Sequence, residues 1–344
     1  MKSASVSALI VSWNTLELLR ECLASLRRQS LAPAQVVVVD NGSTDGSVEW
    51  LQAQRDVRLL TADHNLGFAA ANNLGLKQCT GDLVLLVNPD VVLGDDYLEL
   101  CGRHFERPDV GSVTGKLLRP DGQTIDSTGH RVYGLGWAEN RGELGPDVGY
   151  ESDEEVFGVS AAAALYRRQA LESVTVFGQV FDETYFAYIE DVDLDWRLRW
   201  MGWRAWFEPA ARALHHRSAT GARFSAPIMR HILKNRILTV VKNYDALSLT
   251  LNLPGLVIFS LTKAADFGRV QPSAVLGLGD AMREMGVALR WRREIRRRRR
   301  ASSREIRSWL RRFPWRSRVA RRWSGAGRRA SVGEDRAAPQ GREA

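Results

Sequence analysis

Acidic residues stand at the points of this 344-residue chain where a ligand crevice would use them. Asp40 ends a β-branched run and opens Asp-Asn-Gly-Ser, and Asp90 closes Asn88, Pro89, Asp90 after a fully apolar run. Glu190 and Asp191 begin an amphipathic stretch whose acids continue at Asp193 and Asp195. A carboxylate beyond a strand can accept a ligand's N–H or O–H, or hold a hard divalent cation. One beside a reacting hydroxyl can take its proton. Each position has a plainer alternative: an aspartate after a strand caps the next helix, and acids in a first helical turn complement its dipole. The recurrence favours a site, because Ser12, Trp13 and Asn14 follow the first apolar run in the same way.

The surrounding pattern supplies the scaffold. Residues 6–11, 36–39, 57–60 and 83–87 read as short buried strands, and 16–28, 47–54 and 68–78 as helices between them; Leu16, Leu19, Leu23 and Leu26 recur at helical spacing. Alternating buried strands and helices predict a mostly parallel wound α/β sheet with helices on both faces. In such a sheet ligands bind beyond the carboxyl ends of the strands, where the acidic positions lie. Residues 120–155, rich in Gly and Asp, predict loops and hairpins, and 226–244 a helix.

Charge divides the chain. The segment that begins at Arg290 and ends at Trp323 holds sixteen arginines, no lysine and two acids, a local +14 within a total of +8. The remainder therefore carries −6, which argues against a nucleic-acid channel through the body and for an appended binder of anionic surfaces. Three scattered cysteines without a CxxC argue against a disulfide framework or zinc site. The N-terminal apolar run is shorter than a signal peptide's, and the apolar stretch at 246–261 is interrupted by Asn252, Pro254 and Gly255, which predicts a core or interfacial segment.

VVVDNGSTDGS at 37–47, NLGFAAANNLG at 65–75, LVLLVNPD at 83–90 and YFAYIEDVDLDWRLRWMGW at 185–203 occur in that order. Together they resemble the inverting family-2 glycosyltransferases of the A-type fold, especially the branch with bacterial rhamnosyltransferases, over residues 5–244. The resemblance implies a transferase using a nucleotide diphosphate sugar, dTDP- or UDP-linked, with dTDP-rhamnose the first expectation. It implies that Asp40 reads the nucleobase, with Ser12, Asn14, Asn73 and Asn88 around the nucleotide sugar and Arg197 facing the diphosphate. Asp90 and His215 would hold Mg²⁺ or Mn²⁺, although Asn88 replaces the first carboxylate of the family's DxD motif. Asp191 matches the general base, and Gly158, Glu190 and Trp196 fall on the acceptor side.

Three regions are expected: a transferase domain at 1–245, a helical basic membrane-associating extension at 246–323, and a disordered tail at 324–344. In the extension Ile306, Trp309, Leu310 and Phe313 recur at i, i+3, i+4 and i+7 with arginines opposite, the pattern of a helix lying in an anionic membrane interface. A cytoplasmic protein on the inner face of the cell membrane, with a lipid-linked saccharide or cell-surface glycan as acceptor, is the resulting expectation. Arginine runs also suit nucleic acid, but the apolar stripe favours lipid. A nucleotidyltransferase would need a Gly-rich phosphate loop that ALIVSWNTLELL lacks. A non-enzymatic scaffold on an inactive transferase body would leave Asp90 and Asp191 without a purpose.

Overall fold

A computed structural model describes residues 4–217 and 225–313. The N-terminal part alternates strictly: β1 (Val6–Ser12), α1 (Leu16–Arg27), β2 (Gln35–Asp40), α2 (Ser47–Gln52), β3 (Val57–Thr61), α3 (Phe68–Leu76) and β4 (Leu83–Val87). After β5 (Val91–Leu93) and α4 (Tyr97–Arg103), the chain enters β6 (Val110–Leu118), β7 (Ile125–Ser127), a hairpin of β8 (His130–Tyr133) and β9 (Trp137–Asn140), β10 (Glu154–Val156) and β11 (Ala163–Arg167). Next come α5 (Arg168–Ser173), α6 (Glu190–Trp200) and β12 (Arg204–His215). The helical remainder is α7 (Ala226–Asn243), α8 (Ala246–Val270), α9 (Leu276–Arg283), α10 (Met285–Arg298) and α11 (Ser303–Ser308).

The main sheet runs β10-β12-β6-β11-β4-β1-β2-β3. The strands β4-β1-β2-β3 are parallel, as are β6 and β12, while β11 runs antiparallel between β4 and β6. Strand periodicity explains the uniform apolar runs. In β4, Leu83, Leu85 and Val87 face a core with α1 and α4, whereas Val84 and Leu86 face a second core with α3 and α6. A strand buried on both faces carries no polar residue until it leaves the sheet. Asp40 is the last residue of β2, and Asp90 lies three residues past β4.

The extension differs from its expected behaviour. The apolar stripe of the basic segment is used inside the molecule. Ile306 is buried, Trp309 packs against Phe157 at 6.2 Å, with the guanidinium of Arg199 4.3 Å from its ring, and Phe313 meets Tyr133 and Phe259. Leu310 packs on the same core. The physical reason is competition: the α6 face and the β8–β9 hairpin offer these side chains an apolar partner, so they do not point outward. Arg296, Arg297, Arg298, Arg299 and Arg300 stay exposed. The expected tail at 324–344 and the end of the basic segment lie outside the described residues.

Trp291 on α10 is buried, with Lys242 Nζ 4.5 Å and Arg197 5.2 Å from its ring. Trp291→Ala should therefore lower unfolding free energy by about 3–5 kcal/mol. Urea unfolding of the full chain checks this, and a loss below about 1 kcal/mol would mean that α10 is dispensable to the fold.

Candidate active site

Helix geometry sorts the acids of α6. At 100° per residue Asp193 lies nearly opposite Asp191, while Asp195 returns to within a turn of it. Asp193 is accordingly turned into the protein. It pairs with Lys242 at 2.9 Å and Arg197 at 2.9 Å, and accepts the amide of Asn243 at 2.8 Å. Asp191 faces the crevice with 19% of its side chain exposed, against 1% for Asp193 and none for Asp195. The backbone N–H groups of Val192 and Ala161 donate to its two carboxylate oxygens at 2.8 and 3.3 Å.

The turn before α6 is strained and clamped. Phe186, Tyr188 and Ile189 all adopt positive φ, a costly conformation for such side chains. Asn235 of α7 holds the turn by donating to the carbonyls of Tyr185, Ala187 and Tyr188 at 2.7–2.9 Å. Gly67 at the start of α3 must be glycine here: φ is +84°, and a Cβ would come within 2.5 Å of the Phe186 ring.

A histidine missed in the sequence completes the group. His130, at the base of the hairpin, makes a 2.6 Å bond to Asp195 through Nδ1, and its Nε2 lies 3.6 Å from Asp191. Burial works against its protonation, but the charge of Asp191 and the bond and charge of Asp195 outweigh it, so its pKa is raised. Burial pushes Asp195 up to about 6 against the pull of His130. Glu190 is driven well above the ordinary carboxylate range by burial and then by the charge of Asp191, and its Oε2 has no hydrogen-bond partner among the described residues. Gly158 makes room for the group, since a Cβ there would lie 1.8 Å from Asp195 Oδ2. Gly158 also accepts the backbone N–H of His130. His130 carried no sequence signal, because it falls in the weakly periodic region after Ser127, Thr128 and Gly129.

At the carboxyl end of β2, Asp40 is buried, and its Oδ1 accepts the Ser43 N–H at 2.9 Å. Its Oδ2 is buried without a partner, so one acceptor remains for a ligand. Asn14, at φ +52°, ties this loop to its neighbour by accepting the Thr44 N–H, and Ser12 bonds Thr15. Asp90 Oδ1 lies 3.4 Å from His215 Nε2, while His215 Nδ1 is fixed at 2.8 Å by Asp126, a second residue the sequence did not reveal. Asn88 sits half-buried beside them at the exit of β4.

Three expected ligand contacts are not made. Asn73 spends its amide on the Phe181 carbonyl and the Glu183 carboxylate, and its oxygen on the N–H groups of Val180 and Phe181, so nothing is left for a nucleotide. Arg197 is buried against Asp193 and the Val174 carbonyl, away from the crevice. Trp196 is core, packed edge-on to Phe157 at 5.0 Å and against Tyr244 at 5.2 Å. Arg199, two residues on, donates to the Phe157 carbonyl and Glu155. Helical sequence alone does not say which face meets the crevice.

The mostly parallel sheet with these carboxylates beyond its strand ends is that of an A-type glycosyltransferase. The chain belongs to the family-2 glycosyltransferases: the profile described as Glycosyl transferase family 2 matches residues 7–175. It is 33% identical over 237 residues to the N-acetylglucosaminyl-diphospho-decaprenol L-rhamnosyltransferase of Mycobacterium tuberculosis, covering 60% of this chain and 74% of that one. It is likewise 33% identical over 216 residues to the O-antigen biosynthesis protein RfbC of Myxococcus xanthus, covering 59% of this chain and 16% of the relative. Among solved structures, GalNAc-T7 with UDP, GalNAc and Mn²⁺ aligns with a TM-score of 0.58 at 13% identity, over 83% of this chain and 57% of that one. The mannosyltransferase of Pyrobaculum calidifontis with GDP-Man and Mn²⁺ gives 0.51 at 18% identity, over 86% and 83%. These likenesses establish the fold.

The raised pKa of His130 favours positive charge on a ring that sits against the negative charge gathered at Glu190, Asp191 and Asp195. His130→Gln removes that cation and leaves Glu190, Asp191 and Asp195 together, so keeping a proton among them costs less. The acidic limb of the transfer rate should move to higher pH by about one unit. Initial rates measured across pH check this; an unchanged profile would assign His130 to packing.

Proposed function

We propose that this protein is an inverting, metal-assisted transferase that moves a deoxyhexose, rhamnose first, from a dTDP- or UDP-linked donor to a hydroxyl of a lipid-linked or cell-surface glycan. The observation that carries the reading is the selective placement of Asp191, the α6 carboxylate that reaches the crevice while Asp193 and Asp195 are spent on internal partners. The names of the rhamnosyltransferase and O-antigen relatives support the sugar and acceptor classes.

Asp191 takes the proton of the acceptor hydroxyl as its oxygen attacks the anomeric carbon opposite the departing diphosphate. His130 sets a ring of raised pKa beside the base, and Glu190, next in the chain, has a buried carboxylate oxygen without a partner among the described residues. The unsatisfied Asp40 Oδ2 suits the N3–H of uracil or thymine, which cytosine lacks.

No cluster of three or more His, Cys, Asp or Glu residues able to hold a metal exists among the described residues. Asp90 and His215 are nonetheless the residues that would hold a Mg²⁺ or Mn²⁺ ion, a hard cation that needs few protein ligands. Both are buried, their facing atoms are close, and Asp126 orients the imidazole from behind, as ligating histidines require. Held there, it would supply positive charge to offset that of a leaving diphosphate.

Asp191→Asn should abolish transfer and leave donor affinity nearly unchanged, because the isosteric amide cannot take the proton. Product assay with calorimetric donor titration tests it; transfer within a few-fold of the parent would mean another base. Asp90→Ala should remove the Mn²⁺ dependence of donor binding. Titration of donor with and without Mn²⁺ reads this directly, and an undiminished Mn²⁺ effect would place the ion elsewhere.

A further inference from the structure

One surface of the extension has no part in transfer chemistry. Helix α8 has no Asp, Glu, Lys or Arg between positions 246 and 262, and over its 25 residues it is long and apolar enough to cross a bilayer by length and composition. Its amphipathicity is turned outward. Leu247, Leu251, Pro254, Ile258 and Leu261 share one side by helical spacing, and Leu251 and Ile258 are 70% and 58% exposed. The opposite side is committed to the body. Leu256 and Phe259 are buried, Ser260 accepts from Arg236 at 2.9 Å, and Phe259 packs edge-on against Trp137 and Phe313. A spanning helix would have to abandon those contacts, so its place is parallel to a surface, not through it.

What covers the stripe follows from the charge around it. Arg307 pairs with Asp245 at the start of α8. The backbone of Arg311 bonds Val132 and Gly134 on the neighbouring hairpin, where Asn252 of α8 also lies close to Gly134. Arg311 and Arg312 are exposed at this edge. A charge-free apolar stripe bordered by arginine matches acyl chains bordered by anionic headgroups. A second copy of the chain would bring the same arginines against one another.

We propose that α8 lies flat in the interface of an anionic phospholipid bilayer and that the β8–β9 hairpin holds the catalytic group beside that surface. His130 stands at the Asp191 end of the hairpin, and Trp137, beyond its turn, packs on Phe259 of α8. The rise from His130 to Tyr133 is about 10 Å, at roughly 3.3 Å per residue. A membrane-held acceptor thus enters along the hairpin. This entry route rests on the transferase reading; the bilayer contact does not, and its test involves no sugar.

The full chain and L251E/I258E would be sedimented with vesicles of equal parts phosphatidylcholine and phosphatidylglycerol. The substitutions are on exposed positions, and matching thermal transitions verify folding. The parent should bind, and about 1 M salt should weaken but not abolish that binding. The variant should bind at least about tenfold less. Equal binding by both, or none by the parent, would overturn the proposal. So would a parent dimer in sedimentation velocity that L251E/I258E dissolves without any vesicle binding by the parent, which would make the stripe a contact between copies.

Discussion

The architecture of the site depends on a buried ion cluster between α6 and α7. Lys242, fully buried, is held by Asp182 at 2.8 Å and Asp193 at 2.9 Å, and Arg197 and Asn243 close the rest of Asp193's coordination. Unpaired, any of these charges would carry a large desolvation cost, so the cluster tolerates few rotations of α6 about its axis. Fixing Asp193 inward fixes Asp191 outward, because the two positions lie on opposite sides of one helix. Asn235, two turns earlier on α7, clamps the strained turn that feeds α6. One helix thus supplies both the counter-charge and the clamp.

Much of the fold was legible in the sequence, since strands buried on both faces have to be uniformly apolar and release polar residues only at their ends. Asp40, Asp90 and Asp191 were singled out by that rule together with the ordered motifs, and the structure puts Asp40 at the end of β2, Asp90 just past β4 and Asp191 in the first turn of α6. The errors share a different cause. Asn73, Arg197 and Trp196 lie within recognised motifs, yet each faces inward, and periodicity does not say which side of a helix is covered by a later segment. The stripe at Ile306, Trp309, Leu310 and Phe313 was wrong as a helix, since α11 ends at Ser308 and Arg311 bridges to Tyr133 of the hairpin, and wrong as to its partner. His130 and Asp126 were invisible because a hairpin of mixed residues has no period to read, and their roles arise from contacts 61 and 89 positions away in the chain, at Asp191 and His215.

The apolar residues of the extension divide into two sets that act together. Trp291, Ile295 and Ile306 join the main core, so the helices after residue 245 are part of the same packed body. Phe313 and Trp137 press on the inner side of α8, leaving its outer side uncovered. Hydrophobicity is thus spent inward where a partner exists and displayed outward where none does.

The two halves of the crevice are interleaved along the chain. Asp40 and Asp90 stand at and just past strand ends before residue 91, but the partner of Asp90, His215, comes after His130, Gly158, Glu190 and Asp191. Donor recognition and acceptor delivery are consequently not separable by a single exchange of segments. A relative's stretch spanning the hairpin through α8 would bring its own residue to face Asp90, so a change of acceptor made that way would also remake one side of the nucleotide grip.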